Sequence, residues 1–341
     1  MLVLAKSDNA IRERLTADLA DVEARFAAEL LSDLPCVNEL VEHVERYRGK
    51  MLRPTLVLVS ALATSPDRAE TSEAHRIVAT VIEMVHMATL VHDDILDEAE
   101  LRRRGATINH LVGNEAAVML GDYLISHAYH LCSSLGDAEI SRSIAAATNT
   151  VCEGELLQLA NRNNWSLDER TYDEIIRRKT ASLCGVCCRL AAVVSQAEPA
   201  VAEALYDYGE KLGVAFQIVD DLLDLTGDER TVGKTLGRDL EKGKLTLPLI
   251  HHLASLDEAD RLTVQAMLEA QRDRALDPAV RARQAAVLRD RLIAGDAVAY
   301  ARQRAAELVA TAKARVSQYL ADSPARTLLL EMADAVLSRQ F

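Results

Sequence analysis

Apolar side chains recur along this chain at intervals of three and four residues with few interruptions, the period of amphipathic helices. The pattern predicts helices over 10–31, ending before Pro35, and over 37–47, stopped at Gly49. Residues 52–63 are apolar almost all round and are therefore expected to be buried. A long helix is expected over 70–97, with an apolar stripe through Ile77, Val81, Met84, Val85 and Ala88. Further helices are read over 115–135, 137–159 and 200–225, and the apolar run 181–194 reads as buried helix. Another helix begins near Glu169, capped by Asp168, with Thr171 as an alternative start. The stretch 226–243 breaks the pattern with glycines and dense charge, and reads as a functional loop. Beyond Leu245 the pattern gives four helical stretches, separated near Asp257, near Asp277 and at Asp322–Pro324. No linker rich in Pro, Gly or Ser divides the chain. The expected fold is all-α: one large single-domain helical bundle over residues 1–341, its C-terminal third packed on the rest.

Composition agrees and narrows the class. Gly (14), Pro (7) and Phe (3) are all scarce in 341 residues, which disfavours an all-β, collagen-like or disordered chain. A formal charge of −13 argues against a nucleic-acid binder held by bulk charge. Cys36, Cys132, Cys152, Cys184, Cys187 and Cys188 lack the spacing of a disulfide framework. Cys184, Cys187 and Cys188 lie in an apolar run with no second pair at zinc spacing, so they are expected to be small buried hydrophobes. There is no basic start, apolar middle and cleavage site at the N-terminus, and no unbroken apolar run of about 18 residues. A cytoplasmic, reducing location without a membrane span is the expectation.

Candidate chemistry sits at the ends of two apolar helices. Asp93-Asp94-Ile95-Leu96-Asp97 closes one, and Asp220-Asp221-Leu222-Leu223-Asp224 closes another. At about 100° per residue the three carboxylates of a triad fall at about 0°, 100° and 40°, on one face. Carboxylates so close repel one another and take up protons unless cations neutralise them. Hard divalent ions suit such oxygen ligands, and Mg²⁺ typically binds one or two carboxylates together with substrate phosphates. One such triad is best read as a solvated acidic helix end; two matching triads are much harder to explain that way. A di-iron bundle would want paired Glu-x-x-His segments, and only Glu83–His86 supplies one. Lys50, Arg53, Arg102–Arg104, Lys179, Lys234, Lys242 and Lys244 lie near the triads in sequence. A basic run is usually a solvated face, but cations beside acidic metal sites suit a polyanionic substrate. The apolar helix beneath suits a greasy tail on that charged head.

These residues resemble the trans-isoprenyl diphosphate synthases, or polyprenyl synthetases. The first aspartate motif with its arginine pair is matched by Asp93–Asp97, Arg102 and Arg103, with Arg104 as an extra residue. The second is matched by Phe216, Gln217, Asp220, Asp221 and Asp224. Gly49–Pro54, Glu83–His86, Lys179-Thr180 and the loop Gly233–Leu240 with Gly243-Lys244 follow in order over residues 45–250. The resemblance implies an isoprenoid-synthase bundle around a central cavity, elongating an allylic diphosphate with isopentenyl diphosphate, head to tail. It implies Mg²⁺, about three ions per site, on Asp93, Asp94, Asp97, Asp220, Asp221 and Asp224. Asp93, Asp94, Asp97, Lys179 and Asp220 are then the catalytic set. Arg102, Lys179, Lys234 and Lys244 would hold the allylic diphosphate, and Lys50, Arg53, His86 and Arg103 the diphosphate of isopentenyl diphosphate. Thr180 and Gln217 would face the developing cation. A homodimer is implied, with transient membrane contact for product release.

Product length depends on what blocks the tail. Ala88 and Thr89 are small and lie just before the first triad, where short-chain members often place aromatics, so products longer than geranylgeranyl diphosphate are expected. Met119, Tyr123 and Tyr129 are candidate floors, Tyr129 foremost. Three rivals remain: a short-chain synthase, a class I terpene cyclase, and a silent subunit of a synthase. A cyclase usually replaces the second triad, and a silent subunit would lose aspartates; this chain keeps all six.

Overall fold

The computed structural model describes residues 9–45, 49–64, 70–102, 105–226, 239, 243–272 and 276–339. Helices α1 (Asn9–Glu29), α2 (Pro35–Glu45), α3 (Leu52–Thr64) and α4 (Glu73–Leu96) come first. A two-residue antiparallel ladder, β1 (Leu101–Arg102) with β2 (Gly105–Ala106), leads to α5 (Ile108–Val112) and α6 (Asn114–Ser133). Helices α7 (Ala138–Ala160) and α8 (Glu169–Ile176) follow, then a π-helical turn, Arg177–Ala181. Next are α9 (Ser182–Val194), α10 (Pro199–Thr226), α11 (Leu247–Ser255) and α12 (Glu258–Arg272). The last are α13 (Pro278–Ala294), α14 (Ala297–Tyr319) and α15 (Pro324–Leu337). The all-helical expectation holds, apart from the short β1–β2 ladder.

The chain divides into two compact units. The first comprises Met1–Asn149, Leu183–Glu210 and Ala312–Ala333; the second comprises Thr150–Ser182, Lys211–Thr311 and Asp334–Phe341. In the first, α4 is the central core helix, packed on α1, α3 and α6. Ile77, Val81, Met84, Val85 and Ala88, the predicted stripe, are all buried. Every residue of α3 from Pro54 to Ala63 is buried, as its unbroken apolar pattern requires. α4 is long and apolar enough to cross a bilayer, a property that counting unbroken apolar runs misses. Yet 72% of its most apolar window is buried, as in a core helix of a globular protein. Gly121 lets α6 approach α4 closely: a Cβ there would lie 2.1 Å from His92 Nε2. In the same unit, a Cβ on Gly209 would lie 2.3 Å from the Cys184 carbonyl oxygen of α9. Cys184, Cys187 and Cys188 are buried free thiols, as expected.

Two boundaries differ from the sequence reading for identifiable reasons. α4 starts at Glu73 rather than 70, because Ser72 is its N-cap. The Ser72 side chain accepts from the His75 backbone N–H while the Ser72 N–H donates to His75 Nδ1 at 3.0 Å, a capping box with His in place of Glu. Five helices, not four, follow Leu245, because the chain also breaks at Gly295, between α13 and α14. Asp168 does cap α8, accepting the Thr171 N–H at 2.8 Å.

Candidate active site

Both aspartate triads lie at helix C-termini, where the backbone dipole already presents partial negative charge and a carboxylate is unfavourable. Neither α4 nor α10 has a basic residue in its last turn. The compensating cations arrive from other segments. In the first unit Asp94 is 2% exposed and Asp97 forms the C-cap of α4. Arg102 Nε donates to both Asp94 carboxylate oxygens at 2.9 Å, and a terminal guanidinium nitrogen lies 2.8 Å from Oδ1. The turn after the helix directs this contact. Glu98 adopts φ +48°, Ala99 N–H donates to the Asp94 carbonyl at 2.9 Å, and Thr107 Oγ1 donates to the Ala99 carbonyl at 2.5 Å. Arg102 therefore folds back onto the helix that ends at the triad.

Arg53 opens α3, a position where a cation opposes the dipole and backbone N–H groups favour an anion. Its Nε is buried without a hydrogen-bond partner among the described residues. Met51, just before it, takes φ +52°, turning the chain into α3. Lys50 is exposed and His86, on α4, is half-buried. Ala88 is fully buried and Thr89 half-buried, its Oγ1 donating to the His86 carbonyl at 2.7 Å. On α6, Met119 and Tyr129 are 65% and 37% exposed, while Tyr123 donates to the Leu30 carbonyl at 3.2 Å.

In the second unit each aspartate of the triad has its own partner. Asp221, 7% exposed, accepts from Tyr172 Oη at 2.6 Å and from Gln217 Nε2 at 2.9 Å. Gln217 Oε1 accepts from Thr180 Oγ1 at 3.1 Å, so its amide is held at both ends. Asp220 accepts from Arg339 at 3.4 Å, and that guanidinium lies 3.9 Å from the centre of the Phe216 ring. Asp224 accepts the Asp239 N–H at 3.3 Å. Burial, reinforced by the nearby Asp239 charge, pushes the Asp221 carboxyl well above the usual carboxylate range. Burial beside Asp221 raises the Tyr172 hydroxyl as well.

These groups border a cavity of about 120 Å³ lined by Tyr172, Lys179, Thr180, Gln217, Asp221, Asp239 and Lys244, with Gln158, Asn161 and Arg162. Lys244 is placed by a tight backbone arrangement. Gly243 has φ +68°, and its carbonyl accepts the Asn163 N–H at 3.0 Å. A Cβ on Gly243 would lie 2.0 Å from Asn163 Oδ1, so only glycine fits there. Lys179 and Thr180 stand in the π-helical turn, a feature often found at functional sites.

The second unit thus brings together Lys179, Thr180, Gln217, Asp221 and Lys244, and the first pairs Asp94 with Arg102. Arg103 and Lys234, and the loop 226–243 except Thr226, Asp239 and Gly243, lie outside the described residues. Tyr172 and Arg339 escaped the sequence reading. Tyr172 carried a signal, lying two helical turns before Lys179; Arg339 carried none. Among the described residues no three His, Cys, Asp or Glu side chains gather as a ready metal cage. The all-oxygen carboxylate donors fit Mg²⁺, which needs only one or two of them beside substrate phosphates.

Replacing Tyr172 by Phe removes one of the two side-chain donors to Asp221. The expected result is a stability loss of about 1–3 kcal/mol in urea unfolding. An unchanged midpoint would show that the Tyr172–Asp221 contact is energetically idle.

The sequence matches the profile of a family described as Polyprenyl synthetase over residues 35–283. It is 34% identical over 331 residues to an octaprenyl diphosphate synthase of Escherichia coli, covering 96% of this chain and 98% of that protein. A crystal structure of a decaprenyl diphosphate synthase from Rhodobacter capsulatus superposes with a TM-score of 0.88 at 32% identity, covering 97% of this chain and 98% of that one. A polyprenyl synthase from Caulobacter crescentus, solved with calcium and isoprenyl diphosphate, gives 0.86 at 31% identity, covering 96% and 98%.

Proposed function

The chain belongs to the polyprenyl synthetase family and is a polyprenyl diphosphate synthase, a trans-prenyltransferase; from that premise we propose the following roles for its residues and the length of its product. It condenses isopentenyl diphosphate head to tail onto an allylic diphosphate and continues past geranylgeranyl diphosphate. The observation that carries the residue assignment is the cavity that gathers Lys179, Lys244, Thr180, Gln217 and one aspartate of the second triad. The similarity to octaprenyl and decaprenyl synthases supports a long product. A solved relative that holds calcium supports a divalent-metal site of the same kind.

Asp93, Asp94, Asp97, Asp220, Asp221 and Asp224 would hold Mg²⁺, of which about three ions per site are expected. When bound, Mg²⁺ neutralises the diphosphate and stabilises the charge that grows as it leaves. Lys179, Lys244, Arg102 and Lys234 would be the residues that hold the allylic diphosphate. As the allylic C–O bond breaks, its electron pair departs with the diphosphate and these cations take up the developing negative charge. Arg53, with its buried Nε at the start of α3, holds the diphosphate of isopentenyl diphosphate, together with Lys50, His86 and Arg103. This brings the double bond to the allylic carbon. Gln217 Oε1, oriented by the Thr180 hydroxyl, offers an oxygen to the cation. The double bond forms the new C–C bond, and proton loss to the departing diphosphate restores an alkene.

Arg102 pairs with Asp94 and Arg339 with Asp220, giving each carboxylate a counter-ion. With Mg²⁺ on those carboxylates, Arg102 would turn to the diphosphate. The apolar surface around Leu111, Val112, Val118 and Met119, all 42% exposed or more, supports a homodimer. Tyr129, being exposed, forms a wall only in an assembly that covers it. The six free thiols, four of them buried, accord with a reducing cytoplasm. Release of diphosphate from an allylic substrate with Mg²⁺ is expected to require isopentenyl diphosphate. Release from the allylic substrate alone would indicate a cyclase instead.

A further inference from the structure

Lys179 does not project from a regular helix. It lies in the π-helical turn Arg177–Ala181, whose extra residue per turn displaces side chains from α-helical register. Such a turn persists only where its surroundings hold it: Glu174 pairs with Arg177 and Arg178, Gln217 with Thr180, and a short segment of α7 packs against it. Gly154 presses its bare backbone against the turn: a Cβ there would lie 2.5 Å from Lys179 N and 2.8 Å from Arg178 Cβ. On either side of Gly154 stands a glutamate, each paired with one residue of the turn. Glu153 pairs with Arg178, and Glu155 pairs with Lys179 Nζ.

The two pairs differ in burial. The Glu155 and Lys179 side chains are 14% and 20% exposed, whereas those of Glu153 and Arg178 are 59% and 32% exposed. The outer pair is screened by water and contributes little; the inner one acts where water is largely excluded. Without a partner the Lys179 ammonium has a long, flexible stem and many rotamers. Glu155 selects among them.

We infer that Glu155 is a positioning residue for the Lys179 ammonium, carried on α7 where Gly154 lets that helix press against the π-helical turn. This rests on the reading that Lys179 grips the allylic diphosphate. Gly154 sets the approach of the two backbones, and Glu155 aims the ammonium. Glu155 itself needs no contact with substrate.

A double-mutant cycle tests this. Glu155→Gln keeps the size of the side chain and removes its charge. In the wild-type background it is expected to lower kcat/KM for the allylic diphosphate by about 10- to 100-fold, the scale of a misplaced group. The KM for isopentenyl diphosphate stays unchanged. In a Lys179→Ala background the same change is expected to cost less than about twofold, because the group it aims is gone. Glu153→Gln, on the exposed pair, is expected to leave the rate unchanged. Losses that multiply in the double variant, or a rise in the KM of both substrates, would overturn the inference. Wild-type activity in Lys179→Ala alone would instead overturn the reading of Lys179. If Glu155→Gln lacks the helical circular dichroism of the parent, Glu155→Asp, which keeps the charge on a shorter arm, takes its place in the cycle.

Discussion

Asp93→Asn is expected to slow turnover by on the order of 10²–10³-fold, the cost of removing one preorganised charge from a site that stabilises a departing anion. Asn has the shape of Asp but not its charge, so the substitution separates metal binding from packing. Asp93 is half-buried at the end of α4 and its neighbour Asp94 is paired with Arg102. Losing the Asp93 charge also relieves repulsion at a helix C-terminus, so stability should hold or rise slightly. The same variant should bind Mn²⁺ more weakly in the presence of inorganic pyrophosphate, as read by electron paramagnetic resonance without any turnover. Glu98→Gln is the control, since Glu98 is an exposed acid one residue past the triad. If both substitutions slow the enzyme alike, general acidity of the helix end is responsible, and the solvated-end reading returns.

Thr89→Phe is expected to shorten the product to farnesyl or geranylgeranyl diphosphate. Thr89 lies four residues before Asp93, about 6 Å along the helix and about 40° round it, so it stands one turn below the first carboxylate on nearly the same face. It is half-buried, and a ring there meets the tail before it meets the core. Ala88→Phe should shorten the product too, at a greater cost to the fold. Ala88 is 0% exposed, and a ring forced into that packed position should destabilise by about 1–3 kcal/mol. Chromatography of radiolabelled products reads the length, and thermal unfolding separates the two variants. Full-length product from both would remove α4 from the account of chain length.

The helices were legible because their apolar period is strong and local. α3 read correctly from pattern alone, α4 did so apart from a start three residues early, and Asp168 announced the start of α8 through its cap. The break at Gly295 was missed because one glycine amid good helix formers on both sides leaves no gap in the period. The triads were legible because both match and both end apolar helices. Their partners were not. Tyr172 reaches Asp221 across 49 positions and Arg339 reaches Asp220 across 119, and no local pattern encodes such pairs. The π-helical turn likewise has no composition of its own; the clearest trace is a glycine on another helix, Gly154, that leaves room for it.

The most direct test supplies radiolabelled isopentenyl diphosphate and Mg²⁺ to the purified chain with dimethylallyl, geranyl, farnesyl or geranylgeranyl diphosphate, and resolves the products by length. All-trans polyprenyl diphosphates longer than geranylgeranyl are expected, formed by this chain alone and abolished by chelation of the metal. Product that stops at farnesyl or geranylgeranyl diphosphate would contradict the open wall proposed at Ala88 and Thr89, and no incorporation of label would contradict the metal-binding role proposed for the triads.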